Sequence, residues 1–143
     1  MLTLLTAAAV AAASPSPKQV LQDVFAAFNR HDAAAVASYY ADDAVIISPD
    51  FCGEKIGPAF VRENYAGYFG AFPDAHDQVL SMIEQGDTVA VEFVFTGTAG
   101  GQKVRTPISS FVTVKNGKIV RDVTYFDVQP TPDCTSKAAE KAK

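Results

Sequence analysis

The sequence predicts one α+β domain, helices first and a long meander of strands after. Three observations carry this reading. Apolar residues recur at helical spacing in the first third of the chain and alternate with polar ones from about Gln78 onward. An Asn116-Gly117 pair stands between two β-branched runs, the strongest short signal for a hairpin. The length, 143 residues, suffices for one domain and is short for two; a domain of this size buries roughly two-thirds of its unfolded surface without needing a metal or a disulfide.

Val20, Leu21, Val24, Phe25 and Phe28 define the first helix, with Pro17 in its first turn. Asn29-Arg30-His31-Asp32 breaks the pattern, and Asp32 can cap a second short helix over 33–40. Ala41-Asp42-Asp43 ends it, and 44–48 is a β-branched first strand. Residues 49–57 read as a loop, and Pro58 opens a third helix reaching about Phe69. Val89, Val91, Phe93 and Phe95 then alternate along a strand with that side inward and Glu92 outward, and Gly97, Gly100 and Gly101 turn the chain. Residues 104–115 and 118–128 are the last two strands.

The two-residue turn pairs Lys115 with Lys118 and fixes the register beyond them. One face then holds Val114, Val112, Ser110, Ile108 and Thr106 opposite Ile119, Arg121, Val123, Tyr125 and Asp127. It is the more continuously apolar face and is expected inward. The other face carries Phe111, Val120, Phe126 and Val128, more apolar residues than a solvated sheet needs, which predicts a homodimer that buries it. Pro107 marks a place where a bulge would break this register.

The ends of the chain differ from the middle. Residues 1–13 carry no charged side chain: Leu2, Leu4 and Leu5 lead into alanines, and Ala11-Ala12-Ala13 fits a small-residue cleavage site. The stretch is too short to span a bilayer. We read it as a signal peptide and expect a periplasmic or secreted protein without stable membrane insertion; the alternative is an apolar N-terminal helix. Residues 14–130 then form the single domain and 131–143, rich in lysine, a flexible tail. Cys52 and Cys134 permit one disulfide in an oxidising compartment, and their spacing leaves bridged and free forms open. A net charge of −4 argues against nucleic acid as a partner. Two cysteines and two distant histidines make no metal site, and no phosphate loop, nucleophile elbow or zinc signature is present, so no cofactor is expected.

Three stretches, Phe28-Asn29-Arg30-His31-Asp32, Tyr39-Tyr40-Ala41-Asp42-Asp43-Ala44-Val45 and Val114-Lys115-Asn116-Gly117-Lys118-Ile119, in this order and spacing resemble the NTF2-like superfamily, in particular its SnoaL-like branch. The resemblance covers roughly residues 17–128. It implies a cone: N-terminal helices packed on a strongly curved, mostly antiparallel sheet that encloses a pocket, often in a dimer. The family includes isomerases, cyclases, dehydratases and transport factors, so membership says little about function. Ketosteroid isomerases of this superfamily use a tyrosine, a carboxylate base and a protonated acid. Aligned on the shared stretches, those positions fall on Val24, Ser48 and Ser110, which cannot do that work.

The remaining candidates come from the predicted inner face. SnoaL-like cyclases are thought to use an acidic residue lining the pocket, and Asp127, with Tyr125 on the same face, is the nearest match here. Ser110, Thr106, Ser48 and Arg121 are candidate substrate contacts. Tyr65, Tyr68 and Phe51 belong to the core or line an apolar pocket, and His31 and His76 belong to turns or loops. The sequence thus predicts a protein that binds a small apolar molecule, or an acid/base isomerase, cyclase or dehydratase, or a dimeric interaction module. A ligand site would call for a cavity of at least ~300 Å³.

Overall fold

Each of the first two helices is set by a polar side chain at its start. The computed structural model describes residues 14–128 and 132–134; the expected signal segment and most of the expected tail lie outside these. Helix α1, Pro17–Asn29, is capped by Ser16, whose hydroxyl accepts from the Gln19 amide at 3.2 Å. Helix α2, Ala33–Ser38, is capped by Asp32, whose carboxylate accepts from the Ala35 amide at 2.9 Å. Between them His31 takes a positive φ of 57°, bonds the Ala75 carbonyl through Nε2 at 2.8 Å and stacks on Phe69. Asn29 clamps the start of the third strand: its amide donates to the Asp77 carbonyl at 2.9 Å and its side-chain oxygen accepts from the Asp77 amide at 2.8 Å. The Asn-Arg-His-Asp stretch is therefore the joint between the helices and the sheet.

Strand β1, Tyr40–Ile47, begins earlier than the sequence suggests, because Tyr40 is recruited opposite Ile119. A two-residue strand β2, Lys55–Ile56, pairs with β1 inside the expected loop. Helix α3, Gly57–Ala71, starts at Gly57 with φ +78°. A Cβ there would lie 2.6 Å from the Asp42 carbonyl oxygen, so glycine lets the helix start touch the β1 backbone. Strands β3, His76–Gln85, β4, Thr88–Ala99, β5, Gln102–Lys115, and β6, Lys118–Tyr125, form an antiparallel meander. The six strands make one sheet in the order β2-β1-β6-β5-β4-β3, with β1 and β6 parallel. The helices pack on its inner face as an α+β cone, and the core lies between, around Leu21, Val36, Val89 and Ile119.

The hairpin register holds for two pairs and then shifts. Lys115 faces Lys118 and Val114 faces Ile119, but Thr113 faces Arg121, so Val120 is an extra residue on β6. The bulge sits beside the Asn-Gly turn and not at Pro107. Because strand side chains alternate, one inserted residue exchanges the faces of everything that follows. β5 keeps its expected inner face, with Val112 and Ser110 buried. On β6 the inner residues become Asp122, Thr124 and Phe126, while Arg121 and Tyr125 turn outward.

The outer face carries an apolar row across five strands: Ile83, Ala90, Phe111, Val123 and Ile47, each paired with the next. Phe111 and Tyr125 form an edge contact there, and both are exposed. Cys52 and Cys134 are bonded, with Cα atoms 5.3 Å apart. This decides between the two states the spacing left open: the chain is tied at Cys134 to the loop after β1. Closing a loop of 82 residues contributes about 4 kcal/mol in the chain-entropy model.

Candidate functional site

A cavity of about 130 Å³, partly open to solvent, lies between the inner face of the sheet, α1, α3 and the segment after β1. It is smaller than the roughly 300 Å³ expected of a typical ligand site. A cavity of this order holds a molecule about the size of benzene. Aromatic residues dominate its walls. Phe25 from α1 meets Phe93 edge-on at 4.9 Å, Phe28 meets Tyr65 at 5.6 Å, and Tyr68 meets Phe95 at 5.5 Å. Helical spacing on α1 and α3 and alternation on β4 aim these rings at one volume.

Polar groups enter this apolar space as a connected set. The Tyr40 hydroxyl donates to Asp122 Oδ2 at 2.7 Å. The Thr124 hydroxyl donates to Asp122 Oδ1 at 3.4 Å, and the Ser110 hydroxyl shares a hydrogen bond with that of Thr124 at 2.8 Å. The Tyr65 hydroxyl interacts electrostatically with that of Tyr40. Burial raises the pKa of Asp122 against the opposing pull of the Tyr40 and Thr124 hydrogen bonds. Burial and then the nearby Asp122 charge raise the Tyr40 and Tyr65 hydroxyls above their ordinary value. Both tyrosines therefore stay protonated at neutral pH, able to donate hydrogen bonds. At the mouth Ser48 donates to Asp50, and Phe51 packs edge-on against Phe60.

A second carboxyl group enters from β3. Asp77 is 8 % exposed, lines the cavity, and its Oδ1 has no hydrogen-bond partner among the described residues. Burial pushes its pKa up to about 7. Among the described residues the lining includes Asp50, Asp77 and Asp122 and no lysine, arginine or histidine.

The candidates named from sequence separate into two groups. Ser110 and Ser48 line the cavity, and Val24, at the position of the isomerase tyrosine, lines it as well. Thr106 lies on the inner face opposite Phe95 but beyond the cavity lining. Tyr125 is 59 % exposed and Asp127 is exposed; with Arg121 they lie outside the cavity, contrary to the expected inward face. The bulge at Val120 is the reason. It puts Asp122 opposite Val112, where an unbroken register would place Arg121, and Thr124 opposite Ser110, where it would place Val123. Tyr40, Asp122, Thr124 and Asp77 were not singled out from sequence, although all four line the cavity. No local signal marks a bulge next to a regular Asn-Gly turn. Tyr40 was hidden by its assignment to the end of α2.

Comparison with known proteins agrees with the fold. Residues 21–122 match the sequence model of the SnoaL-like domain. No curated protein matches the chain. Among solved structures, a protein of ketosteroid isomerase-like fold from Catenulispora acidiphila, crystallised with trimethylamine, superposes with a TM-score of 0.72 at 16% identity, covering 83% of this chain and 91% of its own. AclR, a putative hydroxylase from Streptomyces galilaeus, gives 0.69 at 25% identity, with 80% and 90% covered. IdmH, a putative polyketide cyclase from Streptomyces antibioticus, gives 0.69 at 23% identity, with 78% and 91% covered.

Proposed function

Since this chain belongs to the SnoaL-like domain family, we propose that its cavity takes a compact organic molecule and that Asp122, held by Tyr40, transfers a proton on it. The observation that carries this reading is the 2.7 Å hydrogen bond from Tyr40 to a buried carboxyl group inside an aromatic-walled cavity. A carboxyl group raised by burial gives and takes protons nearer neutrality than a surface aspartate does. Asp122 as carboxylate removes a proton from a carbon or hydroxyl of the bound molecule. As carboxylic acid it returns that proton to a neighbouring atom. Tyr40 fixes the orientation of the carboxyl, and the walls keep water from competing. This is the chemistry of an isomerase, cyclase or dehydratase that needs only its own side chains.

A binding protein without chemistry is the second reading. Tyr40 and Thr124 already contact both oxygens of Asp122, which suits a network that only completes the core. Two measurements separate these. Native mass spectrometry of protein purified from its own cell should show a retained small molecule under either reading. Turnover of compact cyclic ketones should fall by 10²–10⁴ in Asp122→Asn under the first reading alone. Absence of turnover in the native protein would leave only the second.

We further propose that the protein is exported and dimeric. The apolar uncharged start and the Cys52–Cys134 bond support export, since such bonds persist in oxidising compartments. For the dimer, the partner is a second copy seated on the apolar row around Phe111. The same face carries exposed Glu92 and Arg121, so a two-fold arrangement can set opposite charges against each other. Sedimentation at high micromolar concentration should give twice the chain mass; a monomer there refutes it.

A further inference from the structure

We propose that the molecule this cavity holds is a small organic cation, a protonated amine whose N–H is received by Asp77 while its alkyl groups lie against the aromatic walls. This rests on the reading above that the cavity takes a compact organic molecule, and adds the charge that molecule carries. The first support is Asp77 Oδ1, buried in the lining with no partner among the described residues. An acceptor in that state is costly unless something donates to it. The second is the sign of the lining. Among the described residues Asp50, Asp77 and Asp122 contribute to it and no basic residue does, so an anion would meet like charge there. The third is the wall itself, since Phe25, Phe28, Tyr65 and Tyr68 line it and an aromatic ring attracts a cation that has left water. A purely apolar occupant would use the rings and leave Asp77 unpaired. A small ammonium ion uses both.

The groups around Asp77 sharpen the expectation. Tyr65 and Tyr68 face it from α3, and both are held protonated through the neutral range by burial. Asn29 of α1 binds its backbone. Asp122 acts on the shared neighbour Tyr65 from β6. Burial alone raises Asp77, to about 7, and an arriving ammonium must displace the carboxyl proton. Amine affinity should thus be flat above about pH 8 and fall about tenfold between pH 8 and pH 6.

The test uses three probes of one shape on the full protein, read by ligand-observed NMR: cyclopentylamine, cyclopentanol and cyclopentanecarboxylate. At pH 8 the amine should bind at least tenfold more tightly than the alcohol, and the carboxylate should not bind. Asp77→Asn should erase the preference for the amine. If that variant does not fold, the pH dependence in the native protein decides, and its absence overturns the proposal. Alcohol binding as tight as amine binding would overturn the cation while leaving a pocket for compact molecules. Failure of all three to bind would overturn both.

Discussion

Replacing Asp77 with asparagine should stabilise the protein, and by an amount that depends on pH. The side chain is 8 % exposed and burial raises its pKa from 3.8 to about 7. A carboxyl group raised on folding is tolerated while protonated. Its stability contribution is intact below about pH 4 and is lost as pH rises through about 7, because the unfolded chain ionises more easily. A thousandfold difference in proton affinity corresponds to about 4 kcal/mol once both states are ionised. Asparagine has nearly the same shape and never ionises, so Asp77→Asn should match the native protein at pH 4 and exceed it by up to about 4 kcal/mol at pH 8. In a domain of this size that is on the order of 10 °C in melting temperature. Calorimetry at pH 4, 6 and 8 measures it. A melting difference independent of pH, or a variant less stable at pH 8, would refute the reasoning.

Tyr40→Phe removes a donor from buried Asp122 and should destabilise by about 1–3 kcal/mol; the loss should be larger at pH 8 than at pH 5 in urea unfolding, because the carboxylate needs the bond most. Gly57→Ala forces a Cβ to 2.6 Å from the Asp42 carbonyl at a positive φ, and denaturant midpoints should show a loss of at least about 2 kcal/mol. Cys134→Ser opens the 82-residue loop and should lower unfolding free energy by about 4 kcal/mol, with the reduced native protein behaving alike. Phe111→Lys, at the centre of the outer apolar row, should shift a dimer to monomer in sedimentation without lowering the melting temperature of the monomer.

Much of the fold was legible because its signals are local. The caps at Asp32 and the glycine turn at 116–117 act within a few residues, and the alternation of Val89, Val91, Phe93 and Phe95 reports one buried face directly. Ser110 was found from the hairpin register, and Ser48 from the family resemblance. What escaped depends on pairing between distant strands. Tyr40 joins the sheet because Ile119 lies beside it, and nothing in Tyr39-Tyr40-Ala41 announces that partner. The bulge at Val120 is a single added residue with no glycine or proline to mark it, yet it turns Arg121 and Tyr125 outward and brings Asp122, Thr124 and Phe126 to the cavity side. Asp77 looked like one more residue of a polar stretch. Its burial follows from the clamp by Asn29, 48 residues away.

Solvent deuterium exchange into cyclopentanone, followed by NMR in Asp122→Asn and Asp127→Asn side by side with the native protein, tests the placement of the chemistry most directly. Asp122 lines the cavity and bonds Tyr40, whereas Asp127 is exposed outside it. Exchange at the carbon next to the carbonyl should exceed the buffer rate with the native protein, persist in Asp127→Asn, and drop to the buffer rate in Asp122→Asn. Exchange that survives in Asp122→Asn and disappears in Asp127→Asn would contradict it.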